Sequence, residues 1–164
     1  MEGAVTSIAI RVFQPCDIPA VLQIQTSSPA AAQWPESAYR ELIRAGQNAW
    51  VAEHEGALAG FLVARLIAAE MEILNLAVHA NLRRRGIGTA LLHHALLRGV
   101  QDGSRNVFLE VRSSNKEAQS FYEAHGFVPA GVRPGYYRNP DEGALVLALA
   151  LDSDNLPTSQ PLSM

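Results

Sequence analysis

The feature that most constrains this chain is a basic segment with two glycines at residues 83–89, which reads RRRGIGT. An apolar run at 73–78 precedes it and an amphipathic run to about residue 100 follows it, so the pattern predicts strand, loop and helix. Glycine reaches backbone angles closed to other residues and leaves no Cβ beside a ligand. The first amides of a helix lack partners inside it and carry partial positive charge. This order predicts a phosphate cradle suited to a pyrophosphate, with a plain basic turn as the alternative.

Composition limits the class of protein. The chain has 164 residues, which fits one domain with a sizeable core, and its net charge of −3 argues against a nucleic-acid partner. Its single cysteine, Cys16, permits no internal disulfide, and we expect it to be a small buried or half-buried residue. No apolar stretch is long enough to span a membrane and residues 1–4 do not resemble a signal peptide, so we expect a cytoplasmic protein.

Periodicity and turn residues give the order of the elements. Asp17 is a candidate cap for a first helix, Gly46 ends a second, and Glu55-Gly56 marks a hairpin. The pattern predicts a strand, two helices, three strands, a helix, a strand, a helix and two strands. We therefore expect a mixed α/β sheet covered by helices, one domain at 1–151, and a disordered polar tail at 152–164. The predicted strands are 7–13, 48–54, 57–66, 70–78, 107–111, 127–137 and 144–151.

Three spaced motifs carry a resemblance to a known family. The segment at 83–88 matches the Q/R-x-x-G-x-G/A acyl-CoA loop of the GNAT-superfamily N-acetyltransferases. The run LEVRSSN at 109–115, followed by Phe121-Tyr122 and Gly126-Phe127, resembles the bacterial ribosomal-protein-alanine N-acetyltransferases. Tyr136-Tyr137 resembles the protein Nα-acetyltransferases. The resemblance covers residues 7–151 and implies the GNAT fold, a mostly antiparallel, twisted central sheet with helices on both faces.

The resemblance also implies ligands and roles. Acetyl-CoA would be the cosubstrate, Glu110 the general base and Tyr122 the general acid. The backbone at 76–78 would pair with the pantetheine arm, the cradle would hold the pyrophosphate, and Asn115 would contact the CoA arm. The residues predicted to bind the cosubstrate are Leu76, Ala77, Val78, Arg83, Arg84, Arg85, Gly86, Ile87, Gly88, Thr89, Asn115 and Tyr122.

Proton chemistry is consistent with these roles. A protein α-amine has a pKa near ~8 and a lysine near ~10.4, so a carboxylate such as Glu110 suffices as base for the α-amine. A tyrosine, with a pKa near ~10, can donate a proton or a hydrogen bond to a departing thiolate whose conjugate acid has a pKa near ~8.5. Each residue has a structural alternative. Glu110 could simply pair with a cation on the sheet, Tyr122 could be a core aromatic, and Asn115 could be only a helix cap.

The acceptor side is less constrained. Tyr136 and Tyr137 alternate on a strand and should point to opposite faces, with Tyr137 favoured for the substrate. Trp34 could line the same groove or pack in the core, and Glu72 is a second candidate base. No Cys/His cluster suggests a metal. We expect a protein or peptide N-terminus as acceptor, possibly that of a ribosomal protein, no membrane partner, and a monomer or weak dimer.

Other functions remain open at this stage. A small-molecule amine could be the acceptor, or the chain could be a non-catalytic acyl-CoA sensor. A dinucleotide oxidoreductase is disfavoured because Leu91 occupies the place of the third glycine in the nucleotide-binding fingerprint. The sequence also departs from the family pattern at His79, where an Asp is common, at Phe108, often a tryptophan, and at Gly143, where an Asp is common. The last departure touches the predicted substrate hairpin.

Overall fold

Strands and helices follow one another in the predicted order throughout the computed structural model, which describes residues 7–152. The strands are β1 (Ile8–Val12), β2 (Asn48–His54), β3 (Ala57–Ile67), β4 (Glu70–Val78), β5 (Asn106–Arg112), β6 (Val128–Tyr137) and β7 (Glu142–Ala150). The helices are α1 (Ile18–Ser27), α2 (Glu36–Arg44), α3 (Ile87–Gln101) and α4 (Lys116–Ala124), with 3-10 turns at Pro15–Asp17 and Ala80–Leu82.

The described chain divides into two compact units. One contains the described residues up to Arg65 together with Ile73–Ala95, and the other contains Leu66–Glu72 and the described chain from Leu96. In the first unit the strand order is β1-β2-β3-β4, and in the second it is β5-β7-β6. The β1–β2, β2–β3, β5–β7 and β6–β7 pairs are all antiparallel. Within each unit, antiparallel strands are accompanied by helices, which confirms the predicted mixed α/β class.

The hairpin between β2 and β3 forms where the turn residues predicted it. Glu55 has φ 53° and Gly56 has φ 77°, the pair of left-handed positions that a two-residue hairpin turn requires. The β2–β3 register also shifts between Ala52 and Glu53, just before the turn. This turn fixes the pairing of β2 with β3 because its backbone twist matches that of the flanking strands.

The core of the first unit is built from α1, α2 and the strands beneath them. Tyr39 and Leu42 on α2 are buried, as the helical spacing predicts. Tyr39 stacks on Phe13 at 5.8 Å between ring centroids and meets Phe61 edge-on at 5.9 Å. Full burial of each such side chain contributes about 1.5–3 kcal/mol to folding, which anchors both helices to the sheet.

The second unit shows the alternation expected of a half-buried strand. On β5, Val107, Leu109 and Val111 are buried, whereas Phe108, Glu110 and Arg112 are partly exposed. Phe127, at 2% exposure, and the inward residues of β7 complete this core. The face that carries Glu110 is therefore the one the period of two predicted.

Several local expectations need correction. Asp17 precedes α1, but its carboxylate makes no cap contact with that helix and instead accepts from the Gln14 amide at 2.8 Å. The Arg11 guanidinium hydrogen bonds to Asp17 and holds the pKa of that carboxyl below its usual range, so an ion pair replaces the cap. Cys16 is exposed rather than buried, because it lies on a short 3-10 turn at the surface.

The boundaries of the last hairpin also differ from prediction. Strand β7 begins at Glu142, two residues earlier than expected, because Glu142 pairs with Tyr137. The predicted tail lies outside the described residues apart from Asp152, and the prediction of one domain stays a prediction. Within residues 7–152, no helix is long and apolar enough to cross a membrane.

Candidate active site

The predicted phosphate cradle has the geometry that its sequence requires. Gly86 has φ 81°, and the Ala90 amide donates to the Gly86 carbonyl at 2.9 Å, which closes the first turn of α3. Arg84 also adopts a positive φ, 62°, which is uncommon for a residue with a Cβ. The segment thus turns sharply onto the N-terminus of a 15-residue helix, whose dipole favours an anion.

The three arginines of this segment differ in their surroundings. Arg84 and Arg85 are exposed, and neither has an ion-pair or hydrogen-bond partner among residues 7–152. Arg83 donates to the Ser28 hydroxyl at 3.0 Å. Two uncompensated guanidinium groups beside a helix N-terminus suit the oxygens of a pyrophosphate, whereas Arg83 is already engaged in holding the loop.

Ser28 is a residue of this region that sequence reasoning missed. It is 3% exposed, and its hydroxyl donates to the Val78 carbonyl at 3.0 Å while accepting from Arg83. The neighbouring Ser27 hydroxyl accepts from the Ala80 amide at 3.3 Å. The end of α1 therefore fixes both the end of β4 and the start of the cradle. A serine before a proline gives no sequence signal for such a contact.

Gly60 is the second missed residue, because it lets β3 approach the cradle helix. A Cβ at this position would lie 2.9 Å from the Ala77 carbonyl oxygen and 3.2 Å from side-chain carbons of Ile87 and Leu91. The backbone oxygen cannot move away, so only glycine fits here. An isolated glycine inside a strand is a known sign of close backbone approach, and this signal could have found it.

His79 occupies a position at which the acetyltransferases that this sequence resembles often carry an aspartate. Its Nδ1 accepts the Asn81 amide at 3.2 Å, so the imidazole caps the 3-10 turn that leads into the cradle. An aspartate would accept the same hydrogen bond. The departure from the family pattern is thus chemically mild. Leu76, Ala77 and Val78 lie just before it on β4, with Ala77 buried and its neighbours half-buried, and their pairing with a pantetheine arm stays a prediction.

In the second unit, Glu110 pairs with a cation on the sheet, which is the alternative to its role as a base. The Arg133 Nε atom on β6 lies 3.0 Å from Glu110 Oε1. The Glu110 side chain is 14% exposed and that of Arg133 is 58% exposed. An ion pair with one partner so exposed contributes little to stability, so the contact does not by itself make Glu110 a structural residue. The Tyr136 hydroxyl also hydrogen bonds to this carboxylate, and a carboxylate with about four acceptor sites can take a further donor beside these two.

Tyr136 and Tyr137 lie together, contrary to the expectation from alternation. Their rings meet edge to face with centroids 5.0 Å apart, a distance that side chains on opposite faces of a strand do not reach. The β6–β7 register shifts between Arg133 and Tyr137, and Gly135 in that stretch has φ 63°. This irregularity turns both rings to one side.

Both tyrosines are influenced by Glu110. Hydrogen bonding to the Glu110 carboxylate, followed by burial, raises the pKa of Tyr136 to about 12. Burial, followed by the charge of Glu110, also raises the pKa of Tyr137. Both phenols therefore remain protonated and able to donate hydrogen bonds throughout the physiological pH range.

A second ion pair holds the loop between β5 and α4. Glu142 accepts from the Ser114 amide at 3.0 Å and the Ser114 hydroxyl at 2.9 Å, and Arg112 Nη1 lies 3.3 Å away. Hydrogen bonding from Ser114, assisted by Arg112, holds the pKa of Glu142 below its usual range. The Arg112 guanidinium also lies over the Tyr137 ring at 4.3 Å. Asn115 follows this loop, and its Oδ1 accepts the Ala118 amide at 3.1 Å, which confirms its role as helix cap.

Tyr122 is buried on α4, where it contacts aromatic neighbours. Its ring meets Phe121 at 5.1 Å and Phe127 at 5.4 Å, the core position of its structural alternative. Burial raises the pKa of Tyr122, and among residues 7–152 its hydroxyl has no hydrogen-bond partner. A protonated phenol with its hydrogen uncommitted can still act as a donor, so its role as acid stays a prediction.

Trp34 packs against the core of the first unit. Its ring lies 5.4 Å from that of Tyr39, and its carbonyl accepts from the Gln25 side chain at 2.8 Å. Gln25 also accepts the Tyr39 hydroxyl at 2.6 Å, and Asn75 donates to the same hydroxyl at 3.3 Å. This buried network fixes the segment between α1 and α2, which is the structural alternative for Trp34.

Glu72, the second candidate base, is half-buried on β4. Its contribution to the acceptor side, like that of Trp34, stays a prediction. Within residues 7–152, no group of three or more His, Cys, Asp or Glu side chains could hold a metal ion.

Comparison with known proteins gives consistent matches. Residues 18–127 match the model of the Acetyltransferase (GNAT) family. The [ribosomal protein bS18]-alanine N-acetyltransferase of Escherichia coli strain K12 is 30% identical, over 87% of this chain and 97% of that protein.

Two solved structures show the same similarity. Ard1 from Thermoplasma volcanium superimposes with a TM-score of 0.81 and 30% identity, over 87% of this chain and 97% of the other. The ribosomal-protein-S18-alanine N-acetyltransferase from Escherichia coli gives a TM-score of 0.79 and 27% identity, over 96% and 100% of the two chains. These matches extend over nearly all of each relative.

Proposed function

Because the chain belongs to the acetyltransferase (GNAT) family, we propose that it acetylates the N-terminal α-amine of a protein, such as a ribosomal protein. Members of this family are N-acetyltransferases that use acetyl-CoA, so the chain is an acyltransferase. The name of the Escherichia coli relative specifies N-acetylation of an alanine of ribosomal protein bS18, which makes a peptide that begins with alanine the first acceptor to test.

The observation that carries the proposal is the arrangement around Glu110. A carboxylate whose side chain is 14% exposed stands beside two tyrosines that remain protonated, on the strand that also precedes the Asn115 cap. An α-amine with a pKa near ~8 needs only a weak base, and a carboxylate acting directly or through one water supplies it. The nearby phenols can hydrogen bond to the acceptor peptide.

The cradle supports acetyl-CoA as the donor. Acetyl-CoA supplies an activated thioester, and its pyrophosphate fits the uncompensated charges of Arg84 and Arg85 at the start of α3. In this proposal the amides of Gly86, Ile87, Gly88 and Thr89 bind phosphate oxygens, while Arg83 keeps the loop in place through Ser28. The same donor set would fit poorly in a site for a neutral ligand.

Proton transfers are assigned to two side chains. The neutral amine attacks the thioester carbonyl, Glu110 takes the proton that the nitrogen loses as the N–C bond forms, and the Tyr122 hydroxyl donates a proton to the sulfur as the C–S bond breaks. The raised pKa of Tyr122 keeps that proton in place at neutral pH. We further propose that the protein acts in the cytoplasm, consistent with a cosubstrate found there.

Ligand-dependent thermal unfolding, combined with a thiol-release assay, tests the proposal. A ligand at about a hundred times its dissociation constant stabilises the folded state by ~2.7 kcal/mol. We expect acetyl-CoA and CoA to raise Tm and NADH to leave it unchanged, with thiol release on an alanine-starting peptide. Thiol release with a small polyamine but not with any peptide would move the acceptor to a small molecule. Stabilisation by CoA without thiol release on any amine would indicate a sensor.

A further inference from the structure

The Arg133 guanidinium pairs with Glu110, the carboxylate that would otherwise attract an acceptor's ammonium group. Resting on the proposed function, we propose that Arg133 is a specificity-determining residue: its fixed charge excludes cationic amines from Glu110 and so restricts acetylation to α-amines rather than lysine side chains. The inference starts from the 3.0 Å contact between Arg133 Nε and Glu110 Oε1.

The positive charge of Arg133 makes a second cation beside Glu110 unfavourable. A like charge within about 4–6 Å disfavours the charged form of a titratable group. An ammonium group bound at Oε2 would lie about that far from a guanidinium bound at Oε1. Arg133 therefore compensates the charge of Glu110 and repels a second cation, while a neutral amine can still donate a hydrogen bond to the remaining acceptor sites of the carboxylate.

Tyr136 lies beside both Arg133 and Glu110. Its guanidinium lies 5.6 Å from the centroid of the Tyr136 ring, and the Tyr136 hydroxyl interacts with the same carboxylate. Tyr137, Arg112 and Glu142 lie in the same cluster, in which Arg112 and Glu142 form a pair of their own. The cluster thus contains one cation for each carboxylate, and Arg133 is the one that faces Glu110.

The two amines differ in the fraction of each that is neutral. At pH about 7.5, an α-amine with a pKa near ~8 is ~24% neutral, whereas a lysine side chain with a pKa near ~10.4 is ~0.1% neutral. A site that accepts only neutral amines therefore favours the α-amine by roughly two hundredfold. A site that attracts ammonium groups to an unpaired carboxylate would lose part of that preference, because the lysine could bind first as a cation and be deprotonated afterwards.

The experiment compares two acceptors with four forms of the full-length protein. One peptide has a free alanine N-terminus and no lysine, and the other has a blocked N-terminus and one lysine. The ratio of their kcat/KM values is measured for the wild type, Arg133→Gln, Arg133→Lys and Arg138→Gln. Arg138 is the matched control, because it is an exposed arginine on the same hairpin and has no ion-pair partner among residues 7–152.

The expected result is a fall of about tenfold in the α-amine preference of Arg133→Gln, the size of one pKa unit of like-charge repulsion. Most of that change should appear as a lower KM for the lysine peptide. Arg133→Lys and Arg138→Gln should keep the wild-type ratio. An unchanged ratio in Arg133→Gln overturns the inference. If kcat/KM falls equally for both peptides, the ratio is also unchanged, and Arg133 would then only orient Glu110.

Failure of the proposed function gives a different pattern. If the wild type acetylates neither peptide, the protein acceptor is wrong, and the same ratio is measured with an amino-acid amide against a simple alkylamine. The inference then predicts the same fall in Arg133→Gln. An unchanged ratio on this pair of small amines contradicts it.

Discussion

Arg84 and Arg85 keep their charges uncompensated among residues 7–152, whereas the charges around Glu110 are paired. The first arrangement attracts an anion, because two cations beside a helix N-terminus have nothing else to neutralise them. The second attracts no net charge, because Arg133 offsets Glu110 and Arg112 offsets Glu142. The difference suits the proposed reaction, in which the donor is a polyanion and the acceptor enters as a neutral amine.

The largest effect should come from removing the carboxylate of Glu110. We expect Glu110→Gln to lower kcat by about 10²–10³, within the range of general base catalysis, with the affinity for CoA unchanged. Steady-state kinetics and calorimetric titration with CoA measure the two quantities. Loss of CoA affinity at an unchanged kcat would instead make Glu110 a structural residue of the sheet.

Substitutions in the cradle should instead weaken acetyl-CoA binding and leave kcat nearly unchanged. The double variant Arg84→Gln/Arg85→Gln should weaken acetyl-CoA binding by about tenfold to a hundredfold, because a hydrogen bond to a charged group contributes about 1.5–3 kcal/mol. The kcat at saturating acetyl-CoA should remain within a factor of about three of the wild type. Arg98→Gln is the control, since Arg98 is an exposed arginine late in α3 that pairs with Asp102 at 3.3 Å. Equal losses in control and double variant would mean that only net charge matters.

Replacement of Tyr122 tests whether a buried aromatic also donates a proton. Tyr122→Phe should lower kcat by about tenfold, less than a typical general acid contributes, because a thiolate with a conjugate acid near ~8.5 leaves readily. Its Tm should change little, since the hydroxyl has no hydrogen-bond partner among the described residues. A kcat equal to that of the wild type would leave Tyr122 as a core residue alone.

The Ser28 hydroxyl contacts both Val78 at the end of β4 and Arg83 in the cradle, and its removal has a smaller expected effect. Ser28→Ala removes one buried hydrogen bond to Val78 and one to Arg83, and should lower the free energy of unfolding by about 1–3 kcal/mol. Acetyl-CoA affinity should fall by less than in the double arginine variant. Denaturant unfolding and calorimetry measure the two effects, with Ser37→Ala, at an exposed serine of α2, as the control. An unchanged stability would show that Arg83 holds the loop without Ser28.

The smallest change is expected in the alkaline part of the pH profile. The rate should rise as the acceptor amine loses its proton near pH ~8. Because burial and Glu110 raise the pKa of the tyrosines, with Tyr136 at about 12, their hydroxyls keep their protons as pH rises further. We therefore expect kcat to stay flat to about pH 10, the ordinary pKa of tyrosine. A fall centred at or below pH ~10 would contradict a Tyr122 acid whose pKa is raised above the ordinary value.

Much of this architecture follows from local sequence patterns. Alternation on β5 predicts which face carries Glu110, and glycine positions predict the β2–β3 hairpin and the start of α3. These features depend on residues within a few positions of one another, so periodicity and turn chemistry are sufficient to find them.

The contacts that distinguish the two regions could not be predicted in this way. Arg83 meets Ser28 across 55 residues of sequence, and Arg133 meets Glu110 only because β6 and β5 both pair with β7. The side on which Tyr136 and Tyr137 lie depends on a register shift in β6; Gly135 signals an irregularity there, but only the pairing with β7 decides which way the rings turn. Such contacts depend on strand register, which is a property of the assembled sheet.

The most direct test of the account is to locate the acetyl group on a reacted peptide. A peptide that begins with alanine and contains one internal lysine is incubated with the wild-type protein and acetyl-CoA, and the product is sequenced by tandem mass spectrometry. The account predicts acetylation of the α-amine alone, with one CoA thiol released for each acetyl group transferred. Acetyl groups on the lysine, or none on the peptide while a small amine is acetylated, would contradict it.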